Sequence, residues 1–144
     1  MKMIVLLTFL TVIISAVPRS EAADIHWCPG LIGLSRQQTM RINVNNFGEA
    51  TTFVIAIIHD ADGNVVKEFP SQMLEPKKTL SLDFSNGDLG PVDLRVVVDF
   101  INPHERRAKK LIKTARASIE IVDDASGKTE AFYAPGDGIG FEPI

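Results

Sequence analysis

Three groups of residues in this chain are of types that could do chemistry. Asp60, Asp62 and Asn64 place oxygens at alternate positions, which invites a calcium reading. A calcium loop between two helices needs Gly at its sixth position and Glu at its twelfth. Counted from Asp60 those places hold Val65 and Ser71, whereas Asp62-Gly63 is ordinary hairpin-turn chemistry. His26 and Cys28, joined by His59 or His104, offer ligands for a soft metal, but their scatter along the chain is not ligand spacing. A catalytic thiol at Cys28 would need a neighbouring base and electropositive surroundings to form thiolate. Cys28 stands instead beside Pro29 in an unpatterned stretch, and no Gly-x-Ser-x-Gly elbow supports a serine hydrolase. No residue is assigned a catalytic, cofactor-binding or metal-binding role.

The third group is cationic. Arg106, Arg107, Lys109, Lys110, Lys113 and Arg116 put six positive charges into 11 residues of a chain whose net charge is −3. Such a patch suits a partner protein or another anionic surface. The plainer reading is a solvated loop balanced by Glu105 and by the acidic turn at Asp123-Asp124. Nucleic acid is disfavoured, because no aromatic residue is interleaved with these cations for base stacking.

The elements that must position these groups read as strands. Met40, Ile42 and Val44 alternate with Arg41, Asn43 and Asn45, the period of a sheet with one wet face. Thr52 to Ile58 is β-branched and aromatic on both faces, which predicts a strand inside a sheet or covered by another element. The turn Asp60 to Asn64 folds it into a hairpin with Val65 to Phe69, and Ser71 to Lys78 reads as a loop. Leu80, Leu82 and Phe84 alternate cleanly. So do Val92, Leu94, Val96, Val98 and Phe100, and then Ala115, Ala117, Ile119 and Ile121. Thr129 to Ala134 reads as a last short strand. About seven strands with no long helical period predict an all-β fold, an antiparallel sandwich of the immunoglobulin-like kind with a closed barrel as the alternative. Trp27 lies ahead of the first of these strands, and the single cysteine cannot form an internal disulfide.

The 144 residues predict one domain. Lys2 precedes an apolar run from Ile4 to Val17, and Ser20 and Ala22 sit three and one residues before a cut after Ala22. This is the pattern of a cleaved signal peptide, and the run is shorter than the roughly 20 residues that span a bilayer. Cys28 does not mark a lipoprotein, because Ile25-His26-Trp27 lacks the small residues that such processing needs. The expected organisation is therefore signal peptide 1–22, irregular lead-in 23–38, β-sandwich 39–134 and a flexible Gly/Pro-rich tail 135–144. Cleavage removes Lys2, Arg19 and Glu21, so the net charge moves from −3 to −4. One cysteine and no Asn-x-Ser/Thr site fit a bacterial periplasm or cell exterior better than an animal secretory route.

The stretch Ile32 to Asn46 resembles the opening of small exported bacterial proteins with an immunoglobulin-like sandwich and no assigned activity. Ile58 to Val65, Leu74 to Lys78 and Ile121 to Thr129 are similar to their later turns. The resemblance implies export and fold, and it transfers no functional residue. The sequence thus predicts an exported non-enzymatic interaction or structural module, with a small-ligand or metal-binding periplasmic carrier as the alternative. Export with this cut predicts Ala23 as the mature N-terminus and material soluble outside the cytoplasm. N-terminal sequencing of exported protein checks it, and membrane-bound material retaining Met1 would overturn it.

Overall fold

The computed structural model describes residues 23–87, 90–102, 114–134 and 141–143. Among them ten strands form: β1 (Ala23–Trp27), β2 (Leu31–Leu34), β3 (Gln38–Asn46), β4 (Thr52–Asp60), β5 (Val65–Leu74), β6 (Thr79–Ser85), β7 (Val92–Asn102), β8 (Ala115–Asp123), β9 (Thr129–Tyr133) and β10 (Phe141–Pro143). They make two antiparallel sheets, the arrangement of a β-sandwich. One has the order β10-β1-β7-β4-β5, with β2 also paired to β7; the other has the order β6-β3-β8-β9.

The alternating patterns become the two inner faces. Met40, Ile42 and Val44 from β3 and Ala117 and Ile119 from β8 meet Val54, Ala56 and Ile58 from β4 and Leu94, Val96, Val98 and Phe100 from β7 in one core. Successive strand residues point to opposite faces, so the residues between these remain partly or fully exposed. β4 lies between β7 and β5, the interior position that its apolar outer residues Phe53, Ile55 and Ile57 predict.

The stretch 23–38 is not an irregular lead-in. β1 and β2 occupy it, and they share one lane along β7. Trp27 is opposite Val98 and Leu31 opposite Arg95, so Cys28, Pro29 and Gly30 span the distance that two residues cover on β7. This extra residue is a bulge, and Gly30 has φ +98°, a conformation that costs glycine little. The bulge switches parity: Ile25 and Trp27 face the core on odd numbers, Ile32 and Leu34 on even ones. A period-two pattern interrupted in this way has no continuous signature. Trp27, 1 % exposed, is a core residue of β1 and not a residue ahead of the sandwich. Truncating such a side chain costs about 3–5 kcal/mol.

Two other boundaries move. β5 runs on to Leu74, which shortens the expected loop 71–78 to 75–78. Ile55 lies between the pairs Val54–Gln72 and Ala56–Phe69, so Pro70 and Ser71 bulge opposite it. Proline is tolerated there because β5 is an edge strand, on which an N–H can be dispensed with. In the expected tail, Phe141–Pro143 pairs with β1, whereas residues 135–140 lie outside the described residues. With β1, β2 and β10 added, the seven expected strands become ten.

Val96 tests the register of β7. It is fully buried in the middle of the inner face, so Val96→Asp places an unpaired charge in the core. That costs several kcal/mol against the roughly 5–15 kcal/mol that stabilise a domain. The variant should be largely unfolded at 25 °C by circular dichroism, and a wild-type melting curve would refute the assigned register.

Candidate functional site

One end of the sandwich is organised by a single amide. Asn46, at the end of β3, is 2 % exposed. Its Nδ2 donates to the carbonyls of Ala50 (2.8 Å) and Leu74 (3.0 Å), and its Oδ1 accepts from the Gly48 N–H (2.9 Å). The backbone continues the job, with Asn46 N–H donating to Lys78 O and Lys77 N–H to Asn46 O. Phe47 N–H donates to Thr114 O at 2.6 Å. Gly48 fits because a Cβ there would stand 3.0 Å from Asn46 Oδ1 and 3.1 Å from Thr114 Cβ. The loops 47–51 and 75–78 and the start of β8 are thereby fastened to one another.

The surface of this end carries cations, the exposed acids Glu49 and Glu75, and the exposed Phe47. Lys77 Nζ donates to Phe47 O and to Glu49 Oε1, each at 2.7 Å, and that hydrogen bond and charge hold the Glu49 carboxyl below its ordinary pKa. Lys78 is exposed, Arg116 is exposed on β8 opposite Asn45, and Phe47 is 54 % exposed. Of the six cations singled out in the sequence, Arg116 is described. Arg106, Arg107, Lys109, Lys110 and Lys113 lie outside the described residues, as do His104 and Glu105. Their flanking residues, Asn102 at the end of β7 and Thr114 before β8, belong to this same end.

The acidic turn lies far from Arg116. Arg116 and Asp123 lie near opposite ends of β8, roughly 23 Å apart at the rise of a strand and nearly three screening lengths of about 8 Å. Asp123 and Asp124 instead serve their own end. Asp123 Oδ1 accepts from Ser126 N–H at 2.7 Å, and bonds to Ser126 hold its pKa below the ordinary value. Asp124 accepts from Thr39 Oγ1 at 2.6 Å.

The other chemical candidates are not brought together. Asp60 turns both oxygens onto its own turn: Oδ1 accepts from the Asp62 and Asn64 N–H groups and Oδ2 from Asn64 Nδ2. Those bonds, the Asn64 side chain foremost, hold the Asp60 carboxyl below its usual pKa. His59 Nδ1 lies 3.2 Å from Gly63 O in the same hairpin. His26 Nδ1 is paired with Asp99 Oδ1 across β1 and β7, on the outer side of the larger sheet, while Cys28 sits half-buried in the bulge. The His26–Asp99 pair joins residues 73 apart and is visible only once the register is known. Among the described residues no group of three or more His, Cys, Asp or Glu is placed to hold a metal ion. A cleft of about 250 Å³ lies between β2 and β7, lined by Gly33, Leu34, Ser35, Pro91, Val92 and Asp93.

Compared with known families, curated proteins and solved structures, the chain matches no family model, no curated protein and no solved structure. Among the described residues no helix is long and apolar enough to cross a membrane.

Asn46→Ala removes the fastening and leaves buried backbone groups without their partner. Each such group costs about 1–3 kcal/mol, so stability should fall by about 2–4 kcal/mol with faster proteolysis in 47–51. Denaturant unfolding and limited digestion check this, and unchanged values for both would remove Asn46 from its organising role.

Proposed function

We propose that this protein is an exported, non-enzymatic interaction or structural module that meets an acidic partner surface through the end of the sandwich around Asn46. The observation that carries this reading is the separation of charge along β8. Arg116, Lys78 and the flanks of the cationic stretch 106–113 share one end, and the Asp60–Asp62 and Asp123–Asp124 turns occupy the other. Connecting segments on a rigid sheet scaffold carry most binding chemistry in such folds. A cationic end attracts anions over a distance set by salt.

Export is part of the proposal. Cleavage after Ala22 would leave all ten strands intact, since β1 begins at Ala23. The destination would be a bacterial periplasm or the cell exterior. Immunoglobulin-like topology is proposed on the strand pairings: β3 with β6 in one sheet, and β4 with β7 in the other with β5 beyond β4. These match the central B–E and C–F pairs of immunoglobulin domains. The outer lanes differ, because β8 lies beside β3 and β1 beside β7. The resemblance to small exported bacterial sandwich proteins agrees with both points. A small-ligand carrier is the second reading, favoured by the cleft beside Asp93, although its 250 Å³ falls below the roughly 300–1,000 Å³ of ordinary ligand sites.

Replacing Arg106, Arg107, Lys109 and Lys110 together by Ser should leave melting nearly unchanged, since surface substitutions stay within about ±0.5 kcal/mol each. The variant should lose neighbours that crosslink to wild type in intact cells, and wild-type capture should weaken as salt rises to about 0.15 M. A folded variant that keeps every neighbour would sink the reading.

A further inference from the structure

A sandwich has open sheet edges, and each presents unpaired backbone groups that invite another strand. Four of the edge strands among the described residues carry recognised protection. β5 has Pro70, two register breaks and the charged pair Lys67-Glu68. β9 is five residues long with a register break and Glu130. β2 and β10 are only four and three residues long. β6 has none of these features. Its seven residues run in unbroken register with β3, without proline or lysine, and its one charge is clamped, with Arg41 Nε and Nη2 donating to Asp83 at 2.8 and 2.9 Å.

The phase of the ladder shows which groups β6 leaves outward. Asn46 N–H donates to Lys78 O at one end of the β3–β6 pairing and Asn86 N–H to Gln38 O at the other, both 3.0 Å. On the far side of β3, Phe47 N–H donates to Thr114 O and Asp124 N–H to Gln37 O. Even-numbered residues of β3 therefore bond toward β6, and odd-numbered ones toward β8. Antiparallel ladders alternate, so Leu80, Leu82 and Phe84 spend their backbone groups on β3. Thr79, Ser81, Asp83 and Ser85 turn theirs away from it, and no described strand pairs with that side.

We propose that the protein self-associates through β6, two copies pairing antiparallel about a two-fold axis at Leu82. Leu82 is the middle residue of β6, so this axis pairs the whole strand. Thr79 then lies opposite Ser85 of the second copy and Ser81 opposite Asp83, all residues whose backbone groups point outward. Each such pair exchanges two N–H···O=C bonds. On the inner side Leu80 meets Phe84 and Leu82 meets itself, a favourable cross-strand set that covers the half-buried Leu80 and Phe84. On the outer side no charge faces its like. An isologous contact of this kind closes at two copies and joins two four-stranded sheets into one. It goes beyond the cationic-end reading and stands without it.

The test follows purified protein by sedimentation and by amide hydrogen exchange across a concentration series. The wild-type protein should dimerise. Exchange at Thr79, Ser81, Asp83 and Ser85 should slow with concentration, while Leu80, Leu82 and Phe84 stay protected throughout. Ser81→Pro removes an N–H that β3 does not use, so it should abolish the dimer. Should that variant misfold, two exposed substitutions decide the matter. Ser81→Asp sets a carboxylate against Asp83 twice per dimer and should weaken association by about tenfold. Ser81→Lys sets opposite charges there and should retain the dimer. A monomeric wild type at about 1 mM, where even a millimolar dissociation constant would show, overturns the proposal. So do equal effects of Ser81→Asp and Ser81→Lys, or odd-numbered amides that slow only when a different extended peptide is added.

Discussion

Every buried backbone group must find a partner, and in this sandwich that demand falls hardest on β7. Its eleven residues are apolar along the inner face and half-buried for much of the outer one, so it needs a ladder on both sides. β4 supplies one side along most of its length. The other side is supplied in two pieces, β1 and β2, with the bulge at Cys28 to Gly30 between them. Without that bulge the core residues of one piece would face solvent, because a one-residue slip turns every side chain over. Burial of Trp27, Ile25, Ile32 and Leu34 therefore depends on one extra residue.

Legibility in the sequence follows the same physics. Strands with uninterrupted alternation, β3, β6, β7 and β8, are readable because the pattern and the burial are one phenomenon. β4 is readable as an interior strand because an apolar outer face needs company. β1 and β2 are hidden by the parity switch, and β5 is cut short on paper by Pro70, whose position on an edge only the sheet order reveals. Asn46 is inconspicuous beside Asn43 and Asn45, since nothing in its type tells a buried loop-tying amide from an exposed one. The pairing of His26 with Asp99 and the separation of Arg116 from Asp123 are facts of register and strand direction. Local composition is silent on both.

The two ends of the sandwich use polar chemistry in contrasting ways. At the far end, Asp60 and Asp123 consume their charge in local turns, which lowers their pKa values and leaves them little freedom to serve a ligand. At the near end a neutral amide does the structural work, and the cations Lys78 and Arg116 project outward. The outer face of the smaller sheet follows a third pattern. There Thr79 and Ser81 donate to Asn45 and Asn43, and Asn43 in turn to Glu120, so a wet surface is held rigid without apolar contact.

The pairing of β1 with β7 also governs the order in which the chain can assemble. Ala23 finds its ladder partner only at Asn102, and β1 reaches β10 only at the other extreme of the chain. Loop closure over such separations is entropically slow, and folds dominated by distant pairings assemble late. A ribosome delivering this chain N-terminus first would hold β1 unpaired, with Trp27 exposed, until most of the chain had emerged. The local hairpin of β4 and β5 can form early. The sandwich itself closes as a final act, and its first residues to appear are among the last to be buried.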